Sequence, residues 1–251
     1  MNEPRETFDT NYFAEVPPDV EDTFWKVRPT LAVNRDSRGV AELGFRDKIE
    51  TDGDIYAPIP RAELQTFNEL YSDRNLLKFL LVLHRLPVKF LASPFVDVGC
   101  GLGTAAIAWT ALVKPSANQI ASSICLDREP RQIEYAKNTL SSNLSLRDVL
   151  QFNSASFPDV DIPKTHVALF SFSLCEIIAE DYTLRQVVDA LPRRFVIADY
   201  REVISAMFGE AGDRFYGTDI VQATYKLTGR LADLLGQDTI KVVGAYGRKW
   251  D

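Results

Sequence analysis

Apolar residues along the chain gather into short, dense runs separated by glycine, proline and charge. Leu76, Leu77, Leu80, Leu81, Leu83 and Leu86 recur at helical spacing; Ser72 ahead of them suits an N-cap and Pro87 ends the run. Phe95–Val98 is a short apolar strand pattern that ends in glycines, and the alanine-rich stretch Thr104–Val113 reads as a helix. Residues 124–126 form another apolar run ending at Asp127, and 130–140 read as a helix with Pro130 in its first turn. Residues 149–152, 167–172 and 195–198 are further strand patterns, a helix is expected after each of the last two, and 240–246 form a late strand. Strands apolar on both faces, alternating with helices, predict a mostly parallel sheet covered on both sides.

Residues 1–72 have a different texture. Phe8, Tyr12, Phe13, Phe24 and Trp25 stand there among charges and Pro17, Pro18, Pro29, Pro58 and Pro60. We read this part as a cap of short helices and loops packing on the core, and 73–251 as the main domain. An apolar fraction of 46 % supports a sizeable core. The net charge of −7 argues against a large phosphate-binding surface, so a nucleic-acid partner is not expected. The polar start and the lack of a long apolar run lead us to expect neither a signal peptide nor a spanning helix, hence a cytoplasmic protein. Cys100, Cys125 and Cys175 lack metal-ligand spacing, and no metal site is expected.

The most informative segment is Asp97-Val98-Gly99-Cys100-Gly101-Leu102-Gly103-Thr104, three glycines at alternate positions between a strand and a helix. It is neither the dinucleotide fingerprint, whose last two glycines are two residues apart, nor a P-loop, since no Gly-Lys-Ser/Thr follows. The segment resembles the first motif of class I S-adenosylmethionine-dependent methyltransferases. The resemblance spans about residues 72–200 and extends to Asp127 at the next strand end.

That resemblance implies a fold and a site. The fold is a doubly wound α/β sheet, seven-stranded and mostly parallel, with helices on both faces and an N-terminal, mainly helical cap. The cofactor is S-adenosylmethionine. Asp97, Gly99, Cys100, Gly101, Gly103 and Thr104 would lie beside its amino-acid and ribose parts. Asp127, with Arg128 next to it, would accept hydrogen bonds from the ribose hydroxyls. Asn153 or Ser154 would read the adenine, and Ser171 and Phe172 would line the site at the fourth strand's end. Tyr71 and Arg74 are candidates for the cofactor's carboxylate, and Tyr12, Phe13 and Trp25 for closing over the sulfonium.

Candidate catalytic residues are fewer, because a sulfonium methyl needs an in-line acceptor more than acid–base machinery. Glu176, amid apolar neighbours, is the first candidate for orienting an amine or acting as a base. Ser173 and Tyr200 are the others, with Asp199 beside Tyr200 at the fifth strand's end. No Asp/Asn-Pro-Pro-Tyr and no Pro-Cys segment occurs, which argues against adenine-amino and pyrimidine-C5 chemistry. The expected activity is methyl transfer to a small molecule, as in specialised biosynthesis. The alternatives are intramolecular cyclisation of the cofactor, releasing methylthioadenosine, and methylation of RNA or protein.

Overall fold

The structure, a computed structural model, describes residues 13–31, 61–86, 93–114, 116–141, 150–179 and 182–250. The expectations for Phe8, Tyr12, Pro58, Pro60 and Pro87 lie outside these residues. The strands are β1 Phe13–Glu15, β2 Phe95–Val98, β3 Ile124–Asp127, β4 Gln151–Ser154, β5 Val167–Ser171, β6 Arg194–Ala198, β7 Phe215–Lys226 and β8 Thr239–Lys249. The α-helices are α1 Pro18–Val27, α2 Arg61–Arg85, α3 Thr104–Val113, α4 Ala117–Ala121, α5 Pro130–Ser141, α6 Leu174–Ala179, α7 Leu184–Ala190, α8 Arg201–Ala211 and α9 Gly229–Leu235.

All the strands join one sheet in the order β1-β7-β8-β6-β5-β2-β3-β4. Pairing is parallel except around β8, which runs antiparallel to both β6 and β7. β2 lies between β3 and β5, so the chain winds outward from β2 toward one edge and later from β5 toward the other. The carboxyl ends of β2 and β5 therefore flank the crevice where the winding reverses, the place at which open α/β sheets bind ligands.

The period of two along each strand divides the core between the two faces. Phe95, Val167 and Leu169 face one side, where they join Leu76, Leu77, Leu80 and Leu81 of α2 and Trp109 of α3. Val96, Val98, Ala168 and Phe170 face the other, against Leu174, Val187, Val188, Ile204 and Met207 of α6, α7 and α8. A strand sandwiched in this way must be apolar at every position, which is why these runs stood out in the sequence.

The doubly wound sheet agrees with the expectation, but it has eight strands rather than seven. The added strand, β1, pairs parallel with β7 at the edge. It is three residues long with one half-buried side chain, too short for a periodic signal. β7 also escaped the sequence reading, because its buried residues Val221, Ala223 and Tyr225 alternate with partly exposed polar ones. The N-cap expected at Ser72 is overturned: α2 begins at Arg61, and buried Ser72 lies inside it. Leading polar residues concealed that part of the helix from an apolar-run argument. Beside it, the carboxylate of Asp73 accepts two hydrogen bonds from Arg28, each 3.0 Å, tying the end of α1 to α2.

α2 approaches β8 at Gly244, where a Cβ would sit 2.5 Å from a Val82 methyl and 2.9 Å from the carbonyl oxygen of Ile197. Gly244→Ala is expected to destabilise the protein by about 1–3 kcal/mol through overpacking against backbone. Gly209, in α8, has open space around it. Gly209→Ala is expected to stabilise by about 0.4–1 kcal/mol through reduced freedom of the unfolded chain. Urea unfolding of the two variants measures both.

Candidate functional site

The loop from β2 to α3 reverses the chain over Gly99, Cys100, Gly101, Leu102 and Gly103. Gly99 and Gly103 have φ of +63° and +76°. Both also sit against neighbours: a Cβ on Gly99 would lie 2.5 Å from Ser173 Cβ, and one on Gly103 would lie 2.7 Å from Leu140 Cδ1. Side chains are excluded there twice over, by conformation and by space. Asp97 holds the far side of the turn. It is 1 % exposed, and its carboxylate accepts a 2.9 Å hydrogen bond from Ala106 N in the first turn of α3. This helix has no side-chain cap on its own N-cap residue, Gly103, so Asp97 serves one of its otherwise unpaired amides.

Asp127 ends β3 beside the loop. One carboxylate oxygen accepts from Gly101 N and the other from Glu129 N, each at 3.0 Å. Each carboxylate oxygen offers two acceptor directions, so both keep one for a further donor. Val98, Gly99, Leu126, Asp127, Arg128, Ala155, Ser156, Phe157, Ser173, Glu176 and Ile177 line one cleft at the carboxyl edge of the sheet, open to solvent.

The structure thus brings Gly99, Asp127, Arg128, Ser173 and Glu176 together, and separates other candidates from them. Cys100 points inward, 3 % exposed, and the neighbouring Cys125 thiol together with burial raises its pKa. Its amide is used by the Leu126 carbonyl, at 3.0 Å. Thr104 is buried at the start of α3. Asn153 and Ser154 are exposed on β4 and do not line the cleft. The residues beyond the strand, Ala155, Ser156 and Phe157, line it instead. The apolar Phe157, three residues past edge strand β4, was the available signal.

The end of β5 carries a second group. Ser173 Oγ donates a 2.6 Å hydrogen bond to the Val98 carbonyl. Its proton is committed, so it braces the two strand ends. Phe172 has φ of +60°, unusual for a bulky side chain. Its amide donates to Ala198 O at 2.8 Å, and its ring meets Tyr200 edge-on with centroids 5.9 Å apart. Asp199, 2 % exposed, accepts from Tyr200 N at 2.8 Å and from Cys175 N at 3.2 Å, linking the end of β6 to the start of α6. Ser171 has a buried Oγ without a hydrogen-bond partner.

Glu176 is exposed at the cleft rather than buried among apolar neighbours, because the polar face of α6 turns outward. Tyr200 is 57 % exposed. Burial pushes the Cys175 thiol well above its usual range, which leaves it a poor nucleophile. Two of the aromatic residues expected to close the site are elsewhere. Phe13 is exposed on edge strand β1, and the Arg230 guanidinium lies 4.2 Å from the centre of a Trp25 ring.

Three carboxylates beneath the crevice share an electrostatic character. Burial raises Asp97 to about 8, with the neighbouring Asp127 adding to it. Burial also raises Asp127 and takes Asp199 to about 6, against backbone hydrogen bonds that pull both down. An acid whose pKa is raised on folding contributes most to stability below its unfolded pKa. That contribution is lost as pH rises through the folded value. Asp97→Asn is therefore expected to gain stability relative to wild type as pH rises from about 4 to 8. Chemical denaturation across that range measures the difference, and the opposite slope would contradict a neutral Asp97.

No protein-family profile and no curated protein sequence matches the chain. Among solved structures, the chain is similar to precorrin-6y C5,15-methyltransferase from Geobacter metallireducens, with 14 % identity, TM-score 0.43, and 71 % of this chain and 87 % of the other covered. It is similar to an S-adenosylmethionine-dependent O-methyltransferase from Thermotoga maritima, with 9 % identity, TM-score 0.45, and coverage of 65 % and 63 %. It is also similar to the tRNA (m1A58) methyltransferase TrmI from Aquifex aeolicus, with 11 % identity, TM-score 0.44, and coverage of 70 % and 69 %.

Proposed function

We propose that the chain is an S-adenosylmethionine-dependent transferase of the class I methyltransferase fold, acting on a small molecule. One observation carries the reading. Asp127 lines the cleft beside the glycine loop, and each of its oxygens accepts only one backbone amide. A carboxylate with two acceptor positions left suits the two hydroxyls of a ribose. Gly101 adds room for such a ligand, since a Cβ there would meet nothing within 4 Å. Leu126, Phe157 and Ile177 give the same cleft apolar walls suited to a purine.

When bound, the cofactor supplies a methyl group already activated by its sulfonium. The chain's own task is then to place an acceptor and keep water away. Asp127 orients the nucleoside, and the loop, braced by Asp97 through Ala106, fixes where it sits. Ser173 holds the β2 and β5 ends at a set distance by its bond to Val98. Glu176 is the exposed group at the cleft that can orient or deprotonate an acceptor. Tyr200 packs its ring edge-on against Phe172. Among the described residues no helix is long and apolar enough to cross a membrane. The net charge of −7 favours a small acceptor, although one of the similar proteins is by name a tRNA methyltransferase.

Calorimetry with S-adenosylmethionine tests the reading. Wild type is expected to bind it, and Asp127→Ala to bind at least tenfold more weakly, about 1.4 kcal/mol. Circular dichroism checks that the variant is folded. No binding by wild type would overturn the reading. Mass spectrometry of the incubated mixture separates the reactions: intact cofactor fits a missing acceptor, whereas spontaneous methylthioadenosine would replace methyl transfer by cyclisation.

A further inference from the structure

Arg74 and Lys78 are one helical turn apart on α2 and so share a face, where like charges repel. Both are half-buried. Arg74 has a buried Nε with no hydrogen-bond partner. The Lys78 ammonium stands 4.6 Å from the centre of the Phe172 ring. Burial and the charge of Arg74 together lower its pKa, and the carboxylate that opposes them is Asp199. That carboxylate is already engaged by the amides of Tyr200 and Cys175. An unpartnered, buried Arg74 donor one turn from the Lys78 ammonium is a place where a negative charge would be stabilised.

The surroundings describe what would meet that demand. Phe172 and Tyr200 form an edge-to-face pair at the carboxyl ends of β5 and β6, and Tyr200 exposes much of its ring. The unpartnered Oγ of Ser171 adds a polar atom on the adjoining residue. Phe172 directly precedes Ser173, which lines the nucleoside cleft.

We propose that Lys78 and Arg74, with the aromatic pair Phe172 and Tyr200, bind the acceptor, and that the acceptor is a small aromatic carboxylate. This rests on the transferase reading above. The two guanidinium and ammonium groups take the carboxylate, and the ring packs on Tyr200 beside Phe172.

The test uses the full chain and three probes of one shape: benzoate, benzamide and benzylamine. Each is titrated by calorimetry with and without saturating S-adenosylhomocysteine. Benzoate is expected to bind at least tenfold more tightly than the neutral or cationic probe. Lys78→Met and Arg74→Met are each expected to weaken benzoate at least fivefold, leaving benzamide and S-adenosylhomocysteine unchanged. Equal affinity for the three probes in wild type overturns the proposal, and that comparison needs no variant to fold. Benzoate binding that survives both substitutions overturns it as well. If the substitutions weaken S-adenosylhomocysteine instead, the pair serves the cofactor's carboxylate and the proposal fails. Wild type that binds benzoate selectively but not S-adenosylhomocysteine would retain the anion site and overturn the transferase reading.

Discussion

The constraint on which the site depends is the reversal of the chain between β2 and α3. Five residues must turn a buried strand into a buried helix while leaving backbone exposed to a cleft. Gly99 and Gly103 meet this with left-handed backbone and with no Cβ to strike Ser173 and Leu140. The turn does not hold itself. Asp97 fixes the helix side through Ala106, and Asp127 fixes the strand side through Gly101. Ser173 then ties β5 to β2 through the Val98 carbonyl. Three strand ends are brought to one place because their loops brace one another.

The braces also set the electrostatics. Asp97, Asp127 and Asp199 are carboxyl groups in low-dielectric surroundings, each pulled upward in pKa by burial. Backbone amides offset part of that cost but no cation neutralises Asp97 among the causes of its shift. Such a site favours positive charge arriving from outside, since a cation nearby stabilises the ionised form. Arg74 and Lys78 share one face of α2, with the Lys78 ammonium 4.6 Å from the centre of the Phe172 ring.

The glycine loop and Asp127 stood out in the sequence because their residue types and spacing resemble the first motifs of class I methyltransferases. A strand end, a tight turn and an acidic residue at the next strand end follow from residue types and spacing. The cleft wall that follows β4 was not legible. Ser156 and Phe157 line the cleft while Asn153 and Ser154 remain outside it, a difference decided by where β4 ends against β3. Glu176 looked buried from its apolar neighbours, but helical geometry turns it outward while Leu174 and Ile177 turn in. Ser173 looked like a group facing the acceptor, and its hydroxyl is spent on a carbonyl 75 residues earlier in the chain.

The sequence by itself determined the doubly wound architecture, since strands buried on both faces must be apolar throughout and helices must alternate with them. It also determined the place of the reversing loop, because glycines at alternate positions after a buried strand are tolerated only where backbone must turn tightly. Tertiary structure decided the rest. The edge strand β1 and the alternating strand β7 are strands because neighbours pair with them. The juxtaposition of Arg74 and Lys78 with Phe172 joins α2 to a strand end about a hundred residues away. Contacts between residues so far apart arise from packing of whole elements, and no local pattern of residue types encodes them.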